Sequence, residues 1–305
     1  MVNDSEDGRD LGPTQLEWTL EDLSGNVIAR GKEDVPAVKY YGRVYVEPEV
    51  RIPSDLPCGK MKAVFRVKLH EGGEKVSENE YSLLLARKEW ISSDVVSDRK
   101  IALMDQDGMA SVFESVGLEY SECRTIDAAL DSGADVVVLS GVSSLDEGQV
   151  SRIRAYLSAG GRLLLLNSND AVMSLYPEYV TGWFVPTEGD IVVMERKEHP
   201  VFDGIGPLEL RYFNNGRREI PLACRSVLKA VRHKNVKELA SQMKIHAYID
   251  GGRPEDRIER IESMRGLVLM QITYGEGTAL VSTLCTEKAA SDPVAGKILM
   301  NLLTL

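Results

Sequence analysis

Hydrophobic residues recur at every second position up to about residue 93 of this 305-residue chain, and then they stop doing so. The clearest run is Lys60–Leu69, KMKAVFRVKL, where Met61, Ala63, Phe65, Val67 and Leu69 alternate with Lys60, Lys62, Arg66 and Lys68. Alternation of this kind is the mark of a strand with one buried and one wetted face. Gln15–Leu20 and Val44–Val50 repeat it, and turn signals separate the runs at Ser24-Gly25-Asn26, Pro53-Ser54-Asp55, Pro57-Cys58-Gly59 and Gly72-Gly73. Short strands, regular turns and no helical stretch predict an all-β sandwich over residues 1–93.

From Ser97-Asp98-Arg99-Lys100 onward the rhythm is different. Ile101–Met104 is a short apolar strand, followed by helical spacing over Met109–Val116. Asp135–Ser140 (DVVVLS) and Arg162–Leu166 (RLLLL) are continuous apolar runs, as in parallel sheets buried on both faces. Between them lies an amphipathic helix over Leu145–Ala159, with Ser144 as N-cap and Gly160-Gly161 as stop. This alternation predicts an open, mostly parallel α/β sheet over residues 94–305. Asp190–Glu195, Gly266–Thr273 and Thr278–Leu284 read as further strands. Tyr274-Gly275-Glu276-Gly277 should turn between the last two, Pro293–Leu303 should be a terminal helix, and the charged Arg253–Arg265 should be a loop.

Composition narrows the functional classes. A net charge of −11 argues against a nucleic-acid partner, because phosphate binding needs a basic surface. It also argues against a polybasic membrane anchor, and no apolar stretch approaches the ~18 residues of a membrane helix. Cys58, Cys123, Cys224 and Cys285 are far apart and lack Cys-x-x-Cys spacing. They read as reduced, buried small hydrophobes, with a long-range disulfide left open. The first ten residues, MVNDSEDGRD, are acidic where a secretory leader would be basic and then apolar. Val2-Asn3-Asp4-Ser5 resembles the end of a strand without its beginning, which suggests a fragment of a longer chain.

Four groups of residues invite chemistry. In Asn79-Glu80 the glutamate has the setting of a glycosidase acid/base, but that chemistry needs a second carboxylate on a rigid platform. The usual barrel takes about 250 residues, so the pair reads as the polar start of a strand. Ser168, in Asn167-Ser168-Asn169, follows the RLLLL strand where an α/β hydrolase would carry a nucleophile. It lacks flanking glycines, and none of His70, His199, His233 and His246 completes a serine–histidine–acid order. Asp105 and Asp107 would repel a phosphate and are too few for a metal, so they read as solvated turn residues and no cofactor or metal is expected. Tyr176, Tyr179, Trp183 and Phe184, with Tyr212-Phe213-Asn214-Asn215 after them, form a local aromatic density that suits core packing, a domain interface or a sugar platform.

Val2-Asn3-Asp4-Ser5, Leu16-Glu17-Trp18-Thr19-Leu20 with Gly25, and Val76–Tyr81 together resemble the C-terminal immunoglobulin-like domain of glycoside hydrolase family 2. Gly133–Ser140, Gly160–Leu165, His199–Gly204 and Tyr274–Thr278 resemble the class I glutamine-amidotransferase-like, flavodoxin-like domain appended to some members of that family. A similar domain drives trimer formation in another β-galactosidase family. The resemblance places the amidotransferase nucleophile near Ser168, where the glycines and the cysteine are missing, and its His-x-Glu dyad near Leu284-Cys285-Thr286-Glu287, where no histidine stands. It therefore implies a fold that has lost its chemistry and a catalytic barrel that lies elsewhere. The expected role is accessory: packing against that barrel, shaping its substrate cleft, or self-association. Trp183, Phe184, Arg211, Tyr212 and Asn214 are the expected contact residues. A carbohydrate-binding module and an independent hydrolase using Ser168 are the alternatives.

Overall fold

The computed structural model describes residues 1–53, 59–91, 96, 98–186, 191–211, 213, 222–243 and 266–304. The chain forms two compact units, Met1–Trp90 and Ile91–Leu305. The boundary expected between residues 93 and 94 lies outside the described residues, as do the predicted loop Arg253–Arg265, Cys58, Tyr212 and Asn214.

The first unit is built on one antiparallel sheet in the order β2-β1-β3-β4, formed by β1 (Thr14–Asp22), β2 (Val27–Val35), β3 (Lys60–Glu71) and β4 (Glu74–Ala86). The register puts Leu16 opposite Leu69, Trp18 opposite Val67 and Leu20 opposite Phe65, so the alternating apolar residues share one face. The other face carries ion pairs between neighbouring strands, including Arg66 with Glu80 at 2.9 Å and with Glu21 at 3.3 Å. Asn79-Glu80 thus lies in the middle of exposed β4 rather than at its start. Gly72 and Gly73, at φ 58° and 90°, make the two-residue turn between β3 and β4 that only left-handed residues allow.

The predicted strand Val44–Val50 does not form. Its Pro48 lacks a ladder donor, and Val44 exchanges backbone hydrogen bonds with Met1 instead. Val44 and Val46 lie against a small core of Leu11, Val35, Val38 and Leu69. Among the described residues the second layer of a sandwich is represented only by the isolated bridges Val2–Arg43 and Leu11–Val38.

The second unit holds one mixed sheet. Its parallel half comprises β5 (Ile101–Asp105), β6 (Ser121–Glu122), β7 (Val136–Ser140), β8 (Arg162–Leu166) and β14 (Gly277–Ser282), lying in the order β6-β5-β7-β8-β14. Every residue of β7 is buried, as the continuous apolar run requires. The hairpin of β13 (Gly266–Tyr274) and β14 extends the sheet in antiparallel sense through β12 (Val236–Met243) to β10 (Ile191–Met194), and β11 (Val227–Ala230) pairs with β13 and with β9 (Val180–Phe184). Ile153, Leu157, Val172 and Leu175 from two covering helices join Val137, Leu139, Leu163 and Leu165 in the main core.

The helix predicted over Leu145–Ala159 runs Glu147–Ser158 and is capped by Asp146, not Ser144. Asp146 accepts from the Gln149 amide at 2.8 Å and Gln149 accepts from the Asp146 amide at 3.0 Å. This reciprocal pair satisfies two free amides at the start of the helix. The terminal helix runs Pro293–Thr304, its first turn held by Asp292, which accepts from the amides of Val294 and Ala295. No helix among the described residues is long and apolar enough to cross a membrane.

Candidate functional site

Parallel strands point the same way, so their carboxyl ends share one edge of the sheet. Ligand sites of open α/β sheets gather there, where strand order reverses. In this chain the reversal falls between β5 and β7. The loops on either side of it carry Asp105-Gln106-Asp107 and Ser140-Gly141, and the neighbouring ends of β8 and β14 add Asn167 and Glu287.

The two aspartates have different jobs. Asp105 staples its own loop, accepting from the amides of Asp107 at 3.0 Å, Gly108 at 3.1 Å and Ala110 at 2.9 Å. Burial acts to raise its pKa, but backbone amides outweigh burial and hold the carboxyl below the ordinary aspartate range. Asp107 turns inward. Its Oδ1 accepts from the Ser140 hydroxyl at 2.6 Å and its Oδ2 accepts from Arg225 at 3.2 Å. Burial pushes the Asp107 pKa up against the opposing pull of Ser140 and Arg225. The prediction of two solvated turn residues is therefore corrected for Asp107, whose side chain is only 16% exposed.

Arg225 bridges two carboxylates, because its Nε also donates to Glu287 Oε1 at 2.8 Å. Asn167 Nδ2 reaches the same Asp107 oxygen as Arg225, at a long 3.5 Å. Its Oδ1 is buried without a hydrogen-bond partner, and Glu287 Oε2 and Thr286 Oγ1 are enclosed likewise. Next in the chain, Ser226 donates to Asn169 at 2.9 Å, and Asp170 accepts from the Trp183 indole at 2.9 Å. Asp107–Arg225, Asn169–Ser226 and Asp170–Trp183 are thus three separate side-chain pairs, and Trp183 stays 40% exposed.

Ser168 is not placed as a nucleophile. It is 2% exposed. Its hydroxyl donates towards the carbonyls of Leu166 at 2.8 Å and Leu139 at 3.3 Å, and accepts from the Val142 amide at 3.0 Å. The strained residue of this turn is its neighbour Asn167, at φ 48°. Cys285 is buried, and burial together with the nearby Glu287 pushes its thiol pKa up to about 12, so it is neutral. His199 is bound by Gln271 and the Val201 amide, and His233 packs on Tyr179. Among the described residues no histidine partners Ser168 or Cys285, and no group of three metal-ligating side chains converges.

The predicted aromatic cluster divides. Tyr176, Tyr179 and Phe213 are core residues. Trp183 joins the polar edge through Asp170, while Phe184 sits under the Lys229 ammonium, 6.0 Å from the ring centroid. Arg211 is exposed. The sequence did not mark Arg225; it marked Asn167 only as a flank of Ser168, and Glu287 only as the end of the stretch from which the dyad's histidine is missing. Asn167 carried a usable signal, since asparagine tolerates the left-handed region at the end of a strand. Arg225 carried none, being 118 positions from Asp107.

No protein-family model matches the chain, and no curated protein matches it. Several solved structures do, glycoside hydrolases among them. A β-galactosidase from Bacillus circulans sp. alkalophilus is 11% identical over 68% of this chain and 31% of its own, with a TM-score of 0.40. A ThuA-like protein from Bacteroides uniformis is 10% identical over 66% of this chain and 88% of its own, with a TM-score of 0.43. The α-L-fucosidase isoenzyme 2 of Paenibacillus thiaminolyticus is 13% identical over 66% and 31%, with a TM-score of 0.39. The chain spans about a third of the length of these two hydrolases.

Proposed function

We propose that this chain is a non-hydrolytic accessory region of a carbohydrate-active enzyme, of the kind appended to family 2 glycoside hydrolases. In this reading an immunoglobulin-like β unit precedes a flavodoxin-like, amidotransferase-related α/β unit. The region packs against a catalytic barrel carried elsewhere and shapes its cleft. Two supports come from the chain itself: the motif residues that resemble those two domains, and a parallel half whose strands lie in the order 2-1-3-4-5 when counted within it.

One observation carries the non-hydrolytic part. At the turn after β8, where an α/β hydrolase strains a nucleophile into the open, the left-handed residue is Asn167, and an amide is not a nucleophile. The adjacent hydroxyl, on Ser168, is committed to three backbone groups. An attacking serine needs a base to take its proton, whereas this one already donates to a carbonyl. Two further nucleophilic atoms lie at this edge: Ser140 Oγ, whose residue is fully buried, and Cys285 Sγ, which is held as a neutral thiol.

The test is hydrolysis of aryl-glycosides, aryl-esters and glutamine by the purified chain, beside a longer protein that includes a barrel. Turnover by the longer protein alone is expected. Turnover by this chain that disappears in Ser168→Ala or Cys285→Ala would overturn the reading.

A further inference from the structure

We infer that the Asp107–Arg225–Glu287 edge of the α/β unit is a binding site for a neutral polyhydroxylated ligand, a saccharide, with Asn167 and Trp183 as its recognition residues. The inference rests on the accessory reading above and gives that reading a ligand.

Three observations lead to it. The first is unmet demand for donors. Asn167 Oδ1 is buried without a partner, and Glu287, beyond its bond from Arg225, is met only by the weak S–H donor of Cys285. A buried acceptor left unpaired costs about 1–3 kcal/mol, so a ligand hydroxyl that met one would recover what the free protein forgoes. The one side-chain bond of Asn167, to Asp107, is at the 3.5 Å limit and leaves the amide weakly held.

The second is charge. Asp107 and Glu287 face a single Arg225, so the edge repels phosphates and carboxylates. The side chains keep a path to solvent, at 16% exposure for Asp107, 40% for Arg225 and 25% for Glu287.

The third is the exposed indole of Trp183. Trp183 is exposed over 40% of its surface, yet it is anchored, because its Nε1–H donates to Asp170. Asp170 follows Asn169, which accepts from Ser226, next to Arg225. Small-ligand sites combine exposed apolar surface with a few fixed polar groups, and the C–H face of a pyranose ring suits an anchored indole.

Titration calorimetry of the full chain tests this with galacto- and manno-oligosaccharides, and with calcium chloride and inorganic phosphate as controls. Heat is expected with a saccharide only. Asn167→Gly and Trp183→Ala should each weaken binding by about tenfold or more, the worth of one lost recognition group. Glycine accepts the left-handed backbone at position 167, so Asn167→Gly should melt no lower than the native chain, and its lost affinity cannot be ascribed to unfolding. Absence of heat with every saccharide overturns the inference. So does saccharide binding untouched by both variants, or heat with calcium or phosphate that Asn167→Gly removes. If binding is absent and hydrolysis is absent, the inference falls and the accessory reading stands; Ser168- or Cys285-dependent hydrolysis overturns the accessory reading itself.

Discussion

Gly141 stands so close to Asp107 that a Cβ added to the glycine would lie 2.5 Å from the Cβ of the aspartate and 3.0 Å from its amide nitrogen. The loops that follow β5 and β7 meet at this point. The contact delivers the Asp107 carboxylate to Ser140, the last residue of β7. Gly141 also has φ 68°, a conformation that costs an L-residue about 1–2 kcal/mol. Gly141→Ala is therefore expected to destabilise the second unit by about 1–3 kcal/mol, since the clash adds to the strain. Urea unfolding measures it, and an unchanged midpoint would show that the loops part without cost.

Ser168→Ala is expected to act on stability and not on chemistry. The substitution strips the Val142 amide of its acceptor in a buried place, and an orphaned buried donor costs about 1–3 kcal/mol. Thermal melts should drop while any glycosidase activity of a barrel-containing protein changes only as far as its folded fraction does. A fully stable Ser168→Ala protein with lost turnover would contradict the placement of this hydroxyl.

Cys285 should resist alkylation in the native protein. Its pKa is pushed up to about 12 chiefly by burial, and the thiolate is the reacting form. Peptide mass spectrometry after iodoacetamide treatment at neutral pH should find Cys285 modified only once the chain is unfolded. The partly exposed Cys123, whose pKa burial also raises, should react first of the two. Fast native labelling at Cys285 would mean that the edge of the sheet opens to solvent.

His199 gives the second unit a dependence on pH. Burial lowers its pKa below the ordinary 6.5, Gln271 acts the other way, and the positive charges of Lys237 and Arg196 add to the lowering. The unfolded chain therefore takes up this proton at a higher pH than the folded one does. The stability linked to His199 is fully present above about pH 6.5 and is lost as pH falls through the lower folded value. Urea titrations from about pH 8 to about pH 5 on native protein and His199→Asn should show a steeper loss in the native protein. Equal slopes would remove His199 from the account.

Much of the α/β unit was legible because burial on both faces forces local sequence to be uniform. Val136–Ser140 and Arg162–Leu166 are short apolar runs bounded by polar and glycine residues, which suits interior strands, and the Tyr274–Gly277 turn joins an antiparallel hairpin. Val44–Val50 misled because alternation reports which side of an extended chain is buried, not whether a neighbouring strand offers its amides. Ser144 misled because Ser144-x-x-Glu147 and Asp146-x-x-Gln149 are both capping-box spacings, and the fold closes only the second.

Local pattern by itself determined where the chain alternates, where it runs apolar, and that its nucleophile positions lack flanking glycines and histidines. Those are properties of neighbours along the backbone, where spacing dictates which face a side chain takes. Only the tertiary structure decided that Asp107, Asn167, Arg225 and Glu287 converge. Sheet order, not chain order, sets which strand ends lie side by side, and that order is settled by long-range burial that leaves no signature at any one residue.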